Sequence, residues 1–168
     1  MKRPAVAMLS LVVLAACDQP KVRDQGPTAT ASVPVAAEPL PAAPEWAGAY
    51  MGKGLRDVFP ETGECVGNTD TVKTRYAGPP AGVAIIGWGW NVTEKVPVAR
   101  IVVVDKEFTI IGAGETGLER PDVQKVRSDV TSSTTGWRAV TTATSGGLDA
   151  YGVTNGGKGV CKLGHLDL

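Results

Sequence analysis

The chain has 168 residues, with 17 Lys plus Arg balanced by 17 Asp plus Glu. That length gives room for one domain, and the balance leaves no basic surplus to neutralise a phosphate backbone, so no nucleic-acid partner is expected. A mean hydropathy of +0.01 and 21 glycines describe a turn-rich body, neither a polytopic membrane protein nor a charged disordered chain.

Lys2 and Arg3 form a positive start, and Pro4 to Ala16 is an apolar run whose only hydroxyl is Ser10. This has the form of an export signal, and it falls short of the roughly 20 residues that span a bilayer as a helix. It ends in Leu14, Ala15, Ala16 and Cys17, which resembles the lipobox of bacterial lipoproteins over all four positions. The resemblance implies a diacylglycerol thioether on Cys17, cleavage before it, and an acylated new amino terminus. Residues 1–16 would then be a cleaved signal peptide, and the lipid would attach the chain to a bacterial cell membrane, facing the periplasm or the exterior. Several acyl chains together hold stably where one holds marginally. Removal of Lys2 and Arg3 leaves 15 basic against 17 acidic residues, so headgroup attraction is no part of the expected attachment. Asp18 resembles the inner-membrane retention signal of enteric-type lipoproteins. No cofactor is expected beyond the diacylglycerol and N-acyl lipid on Cys17.

From Asp18 to Glu45 there are six prolines and no aromatic residue. Repeated proline removes backbone donors and favours extended conformations, so residues 17–45 are expected to be a disordered, lipid-anchored tether. It would serve as a spacer or, alternatively, as a proline-rich docking segment.

The folded part is expected over 46–168. Short β-type runs separated by turn residues predict an all-β fold. The clearest are Val83 to Trp90, Arg100 to Asp105, Phe108 to Gly112, Gly136 to Thr141, Leu148 to Thr154 and Gly159 to Leu163, with a weaker run from Thr69 to Tyr76. Lys106 and Glu107 suit a tight hairpin between two of them, and Asn155, Gly156 and Gly157 supply a second. Pro121 followed by Asp122 predicts the start of one short helix. Cys65 and Cys161 form an even pair in an exported chain, which reads as a disulfide; a thiol metal site lacks the required spacing.

The run from Gly87 to Trp137 resembles a bacterial Ig-like β-sandwich module found in exported and surface proteins. The pattern is carried by Gly87 and Trp88, Val102 to Asp105, Gly112 to Gly117, Arg120 to Val123, and Gly136 with Trp137. The resemblance implies an Ig-like antiparallel β-sandwich and export, not an activity. Lys106 and Glu107 stand where that pattern has glycine, which leaves the turn type open.

Gly112, Gly114 and Gly117 spell a dinucleotide fingerprint, but Pro121 would interrupt the helix that such a loop must open. Asn91, Val92 and Thr93 match a glycosylation acceptor, which a bacterial lipobox makes irrelevant. Trp88 and Trp90 share one side of a strand, so they either fill the core or form a sugar-stacking platform. Arg120 and Asp122 are either a binding pair or a turn-stabilising network. His165, the one histidine, reads as a surface residue near the terminus. With no nucleophile motif and no clustered carboxylates, catalysis has no constellation to rest on. The reading is a non-catalytic binding or assembly module whose partner is an envelope protein or a glycan. The alternative is a weak carbohydrate- or peptidoglycan-binding lipoprotein using Trp88 and Trp90.

Overall fold

Alternating and continuous runs of Val, Ile, Thr and Trp pay out as strands wherever they can bury a face, and the computed structural model, which describes residues 32–168, shows ten of them. In chain order these are β1 (Val35–Pro39), β2 (Glu61–Thr62), β3 (Cys65–Gly78), β4 (Gly82–Asn91), β5 (Val96–Pro97), β6 (Arg100–Val104), β7 (Ile110–Leu118), β8 (Gly136–Thr141), β9 (Gly147–Thr154) and β10 (Gly159–Asp167). Two short helices, α1 (Leu55–Val58) and α2 (Pro121–Val126), and 3-10 turns at Glu45–Ala49 and Asn155–Gly157 complete the described body. The expected signal peptide, the lipobox-like residues and Cys17 lie outside the described residues.

The all-β class is as expected, and the arrangement is one hydrogen-bonded sheet in the order β1-β3-β4-β8-β7-β6-β9-β10-β2, with β5 on β4. A sandwich predicts two separately bonded sheets, whereas the seven long strands here form one antiparallel path. Irregularities in β3 between Thr69 and Thr71 and between Val72 and Thr74 bend that path. It curls until its ends meet: Cys65 on β3 and Cys161 on β10 are disulfide-bonded, with Cα atoms 5.8 Å apart. Gly164 of β10 sits so close to β3 that a Cβ there would be 2.7 Å from the Thr69 backbone nitrogen.

The curl creates an inner and an outer face. Inside lie Val83 and Ile85 of β4, Ile101 and Val103 of β6, Trp137 and Ala139 of β8, and Leu163 of β10. Gly87 makes room for Trp137, because a Cβ at Gly87 would overlap the indole and the Asn68 carbonyl. Outside, Val102, Val104, Ile110, Tyr151 and Val160 pack under Leu55 and Phe59 from the segment around α1. The continuous run from Ile101 to Val104 is therefore buried on both faces, which explains its lack of alternation.

The folded body starts before the expected boundary at residue 46. The compact body begins at Ser32, and β1 runs parallel to β3 with Val35 opposite Arg75 and Ala36 opposite Tyr76. The Arg75 N–H donates to the Pro34 carbonyl over 2.9 Å. Proline-biased extended backbone is compatible with an edge strand that needs few donors, so composition alone mistook this strand for linker.

The 106–107 hairpin also differs. β7 begins at Ile110, and Asp105 closes a longer turn by accepting N–H bonds from Glu107 (3.0 Å) and Thr109 (2.8 Å) on its Oδ1. Phe108 takes φ +60° within the turn, and its carbonyl accepts the Leu55 N–H over 2.8 Å. At the other hairpin Asn155, Gly156 and Gly157 all have positive φ, as expected.

Candidate functional site

Arg120 precedes α2, whose first position is Pro121, and it holds this segment against β3. Its Nη1 reaches Asp70 Oδ2 at 2.5 Å, while Nε and Nη2 contact Asp122 at 2.9 and 2.7 Å. The fork of the guanidinium suits this two-carboxylate clamp. The bond from Arg120 holds the Asp122 carboxyl down at a pKa of about 2, and the Arg120 guanidinium is raised in turn, chiefly by Asp122 and against the opposing effect of burial. Of the two readings for this pair, the geometry matches the turn-stabilising network. Asp70 is the partner that sequence reasoning missed, because fifty positions separate it from Arg120 and only the sheet brings them together.

A simpler clamp on one carboxylate follows α2, where Arg127 Nε and Nη2 meet Asp129 at 2.9 and 2.8 Å. Val123, between the clamps, and Val130, just after the second, pack onto the outer face of β4, where they bury Trp90. Trp90 is 2% exposed and Trp88, beside it, is half-buried. The two indoles do share a side of the strand, but the 121–130 segment covers it, so they present no bare pair of rings. This corrects the platform expectation for Trp90. Gly112 and Gly114 lie within β7 and Gly117 at its far end, and no helix opens from them.

On the same outer face, strand register aligns Thr71 of β3, Ile86 of β4, Arg138 of β8, Glu115 of β7 and Arg100 of β6 across the sheet. Trp46 caps one end of this row: its Nε1 donates to Glu115 over 2.9 Å, and the Arg100 guanidinium lies 5.2 Å from its ring centroid. At the other end an open groove of about 360 Å³ is bounded by Lys73, Ile86, Leu118, Glu119, Arg120 and Arg138. Arg138 Nη2 donates to the Tyr76 hydroxyl over 2.6 Å. Among the described residues no carboxylate lies within 4.0 Å of the Lys73 ammonium or the Arg138 guanidinium, whereas Arg120 is neutralised twice.

His165 is not isolated. On β10 it faces Asp149 of β9, with Nδ1 2.7 Å from Asp149 Oδ1 and Nε2 3.3 Å from Asp167. Lys162 contacts the other Asp149 oxygen at 2.8 Å. The hydrogen bond to Asp149, then that to Asp167, raises the His165 pKa above its usual value. Burial works to raise the Asp149 carboxyl, but Lys162 and His165 outweigh it and leave it lowered. Regular pairing of the two expected strands around the Asn155–Gly157 turn would set His165 opposite Leu148; the irregularity between Lys162 and Gly164 moves it opposite Asp149, so the cluster was not legible in the sequence.

The expected Cys65–Cys161 pair is bonded. Among the described residues no group of three or more His, Cys, Asp or Glu side chains is arranged to hold a metal ion. No described helix is long and apolar enough to cross a membrane. Compared with models of protein families, with curated proteins and with solved structures, the chain matches none of them.

Proposed function

We propose that this chain is a lipid-anchored, non-catalytic binding or assembly module of the bacterial cell envelope. The observation that carries the reading is the sequence Leu14, Ala15, Ala16, Cys17 behind two basic residues and an apolar run, which resembles a lipobox. The Cys65–Cys161 pair supports it, since such bonds persist in oxidising, extracytoplasmic compartments. Asp18 favours the inner membrane, and the near-neutral charge disfavours a nucleic-acid partner. The Ig-like relationship belongs to the proposal through the Gly87–Trp88, Arg120–Val123 and Gly136–Trp137 pattern alone.

With the body starting at Ser32, the tether in this reading is residues 18–31. At about 3.1 Å per residue in an extended proline-type conformation, it sets the body within roughly 45 Å of the bilayer. The test is metabolic palmitate labelling with membrane fractionation of the full chain and its Cys17→Ala variant. The parent should carry label and sediment with membranes; equal behaviour of the two would overturn the reading.

A further inference from the structure

We propose that the groove between β3 and β8 binds an extended acidic peptide, with carboxylates three residues apart gripped by Lys73 and Arg138. The proposal rests on the binding-module reading and names the class of its partner.

Lys73 stands at the irregularity between Val72 and Thr74 on β3, and Arg138 on β8, with the single strand β4 between them. Two strand spacings of about 4.8 Å place their strands about 9.6 Å apart, and Lys73 sits about 5 Å further along the strands than Arg138, so their backbones are about 11 Å apart, a span that the two long side chains can shorten. A polyproline-type peptide advances about 3.1 Å per residue and repeats every three, so side chains at i and i+3 lie on one side about 9.3 Å apart. The floor between the cations is Ile86, which is half-buried, and beyond Arg138 on β7 the groove is continued by Leu118, which is 43% exposed. The Ile86 floor suits the proline or aliphatic residues that would lie between the two acids.

The charges make the same selection. Arg120 is held by Asp70 and Asp122 and supplies a rigid wall, not a free cation. Arg138 spends Nη2 on Tyr76 and keeps its other N–H groups for a carboxylate. Glu119 also lines the groove and disfavours a further acid beside it.

The test uses the full chain in detergent micelles and a fluorescein-labelled peptide of repeating Glu-Pro-Pro, read by anisotropy at low salt. A Gln-Pro-Pro peptide is the control, and polygalacturonate is an unlabelled competitor. The Glu peptide should bind, the Gln peptide should not, and added salt should weaken the complex. Lys73→Ala and Arg138→Ala should each weaken it about two- to fivefold, the range of exposed ion pairs. Lys53→Ala should leave it unchanged. Arg138→Lys and Tyr76→Phe retain the cation and should retain binding, which separates lost charge from lost fold. Equal binding of the Glu and Gln peptides, or an unchanged affinity in the Lys73→Ala/Arg138→Ala double variant, would overturn the proposal. So would polygalacturonate binding that depends on these two residues without any peptide binding, which would assign the groove to a glycan. A negative peptide result leaves palmitate labelling of Cys17 untouched, and unlabelled Cys17 leaves the peptide result standing.

Discussion

Removing the Cys65–Cys161 bond should cost more than any other double substitution of its size. The two cysteines are 96 positions apart, and their bond closes almost the whole of the long-strand path from β3 to β10. In the chain-entropy model a loop of that length loses enough unfolded-state freedom to stabilise the fold by about 4.7 kcal/mol. The seam it spans has no ladder of its own, being closed by the bond and by close packing such as Gly164 against Thr69. For a body of this size each kcal/mol moves Tm by roughly 3 to 5 °C, and loss of a native bond costs about 2 to 5 kcal/mol, so a fall of about 6 to 25 °C is expected. The assay is thermal unfolding by circular dichroism of the oxidised parent beside a Cys65→Ala/Cys161→Ala variant. Amide exchange on both should show protection lost first around Thr69 and Leu163. A fall below about 3 °C with unchanged protection at the seam would refute the argument, since packing alone would then be closing the sheet.

Four further outcomes are expected. Gly87→Ala forces a methyl group into the Trp137 ring and the Asn68 carbonyl; it should cost about 1 to 3 kcal/mol in urea unfolding, and an unchanged midpoint would show that the sheet yields there. Phe108→Gly removes a left-handed non-glycine conformation at an exposed ring (φ +60°, 51% exposed) and should leave stability unchanged or raise it by up to about 1 kcal/mol, whereas a loss larger than that would mean the ring makes essential contacts. Arg120→Ala leaves half-buried Asp70 without its partner and should cost about 2 kcal/mol, checked by the same unfolding titration. The fourth concerns pH. The raised His165 pKa means its contribution is fully present below its ordinary value of 6.5 and is lost as pH rises through the higher folded value. Asp122 runs oppositely, its contribution present above 3.8 and lost as pH falls towards about 2. Tm should therefore fall slightly between about pH 6 and about pH 8 in the parent and not in His165→Gln; parallel profiles would contradict the assignment.

The strands that sequence reading located well are those whose burial is local in cause. Gly136–Thr141 is found with its ends unchanged, and β4 and β9 extend the expected runs by one or two residues. The disulfide was legible because the folded part holds two cysteines, which leave one intramolecular pairing. What was not legible depends on distant elements. β1 is hidden in a proline-rich segment because its only warrant is the open edge of β3. The β7 start moved from Phe108 to Ile110 because the Asp105 carboxylate and the Leu55 N–H claim the turn backbone. Trp88 and Trp90 were placed on one side of their strand, but the cover of Val123 and Val130 depends on how the 121–130 segment folds back. The groove has the same origin, since Lys73, Ile86 and Arg138 come from three strands and meet only by register.

The most direct test of the envelope-module account is the intact mass of the mature protein purified from bacterial membranes without reductant. The account predicts a chain that begins at Cys17, heavier by the diacylglyceryl and acyl groups and lighter by the two hydrogens of one disulfide. A mature chain that begins elsewhere, or that carries an unmodified Cys17, would contradict it.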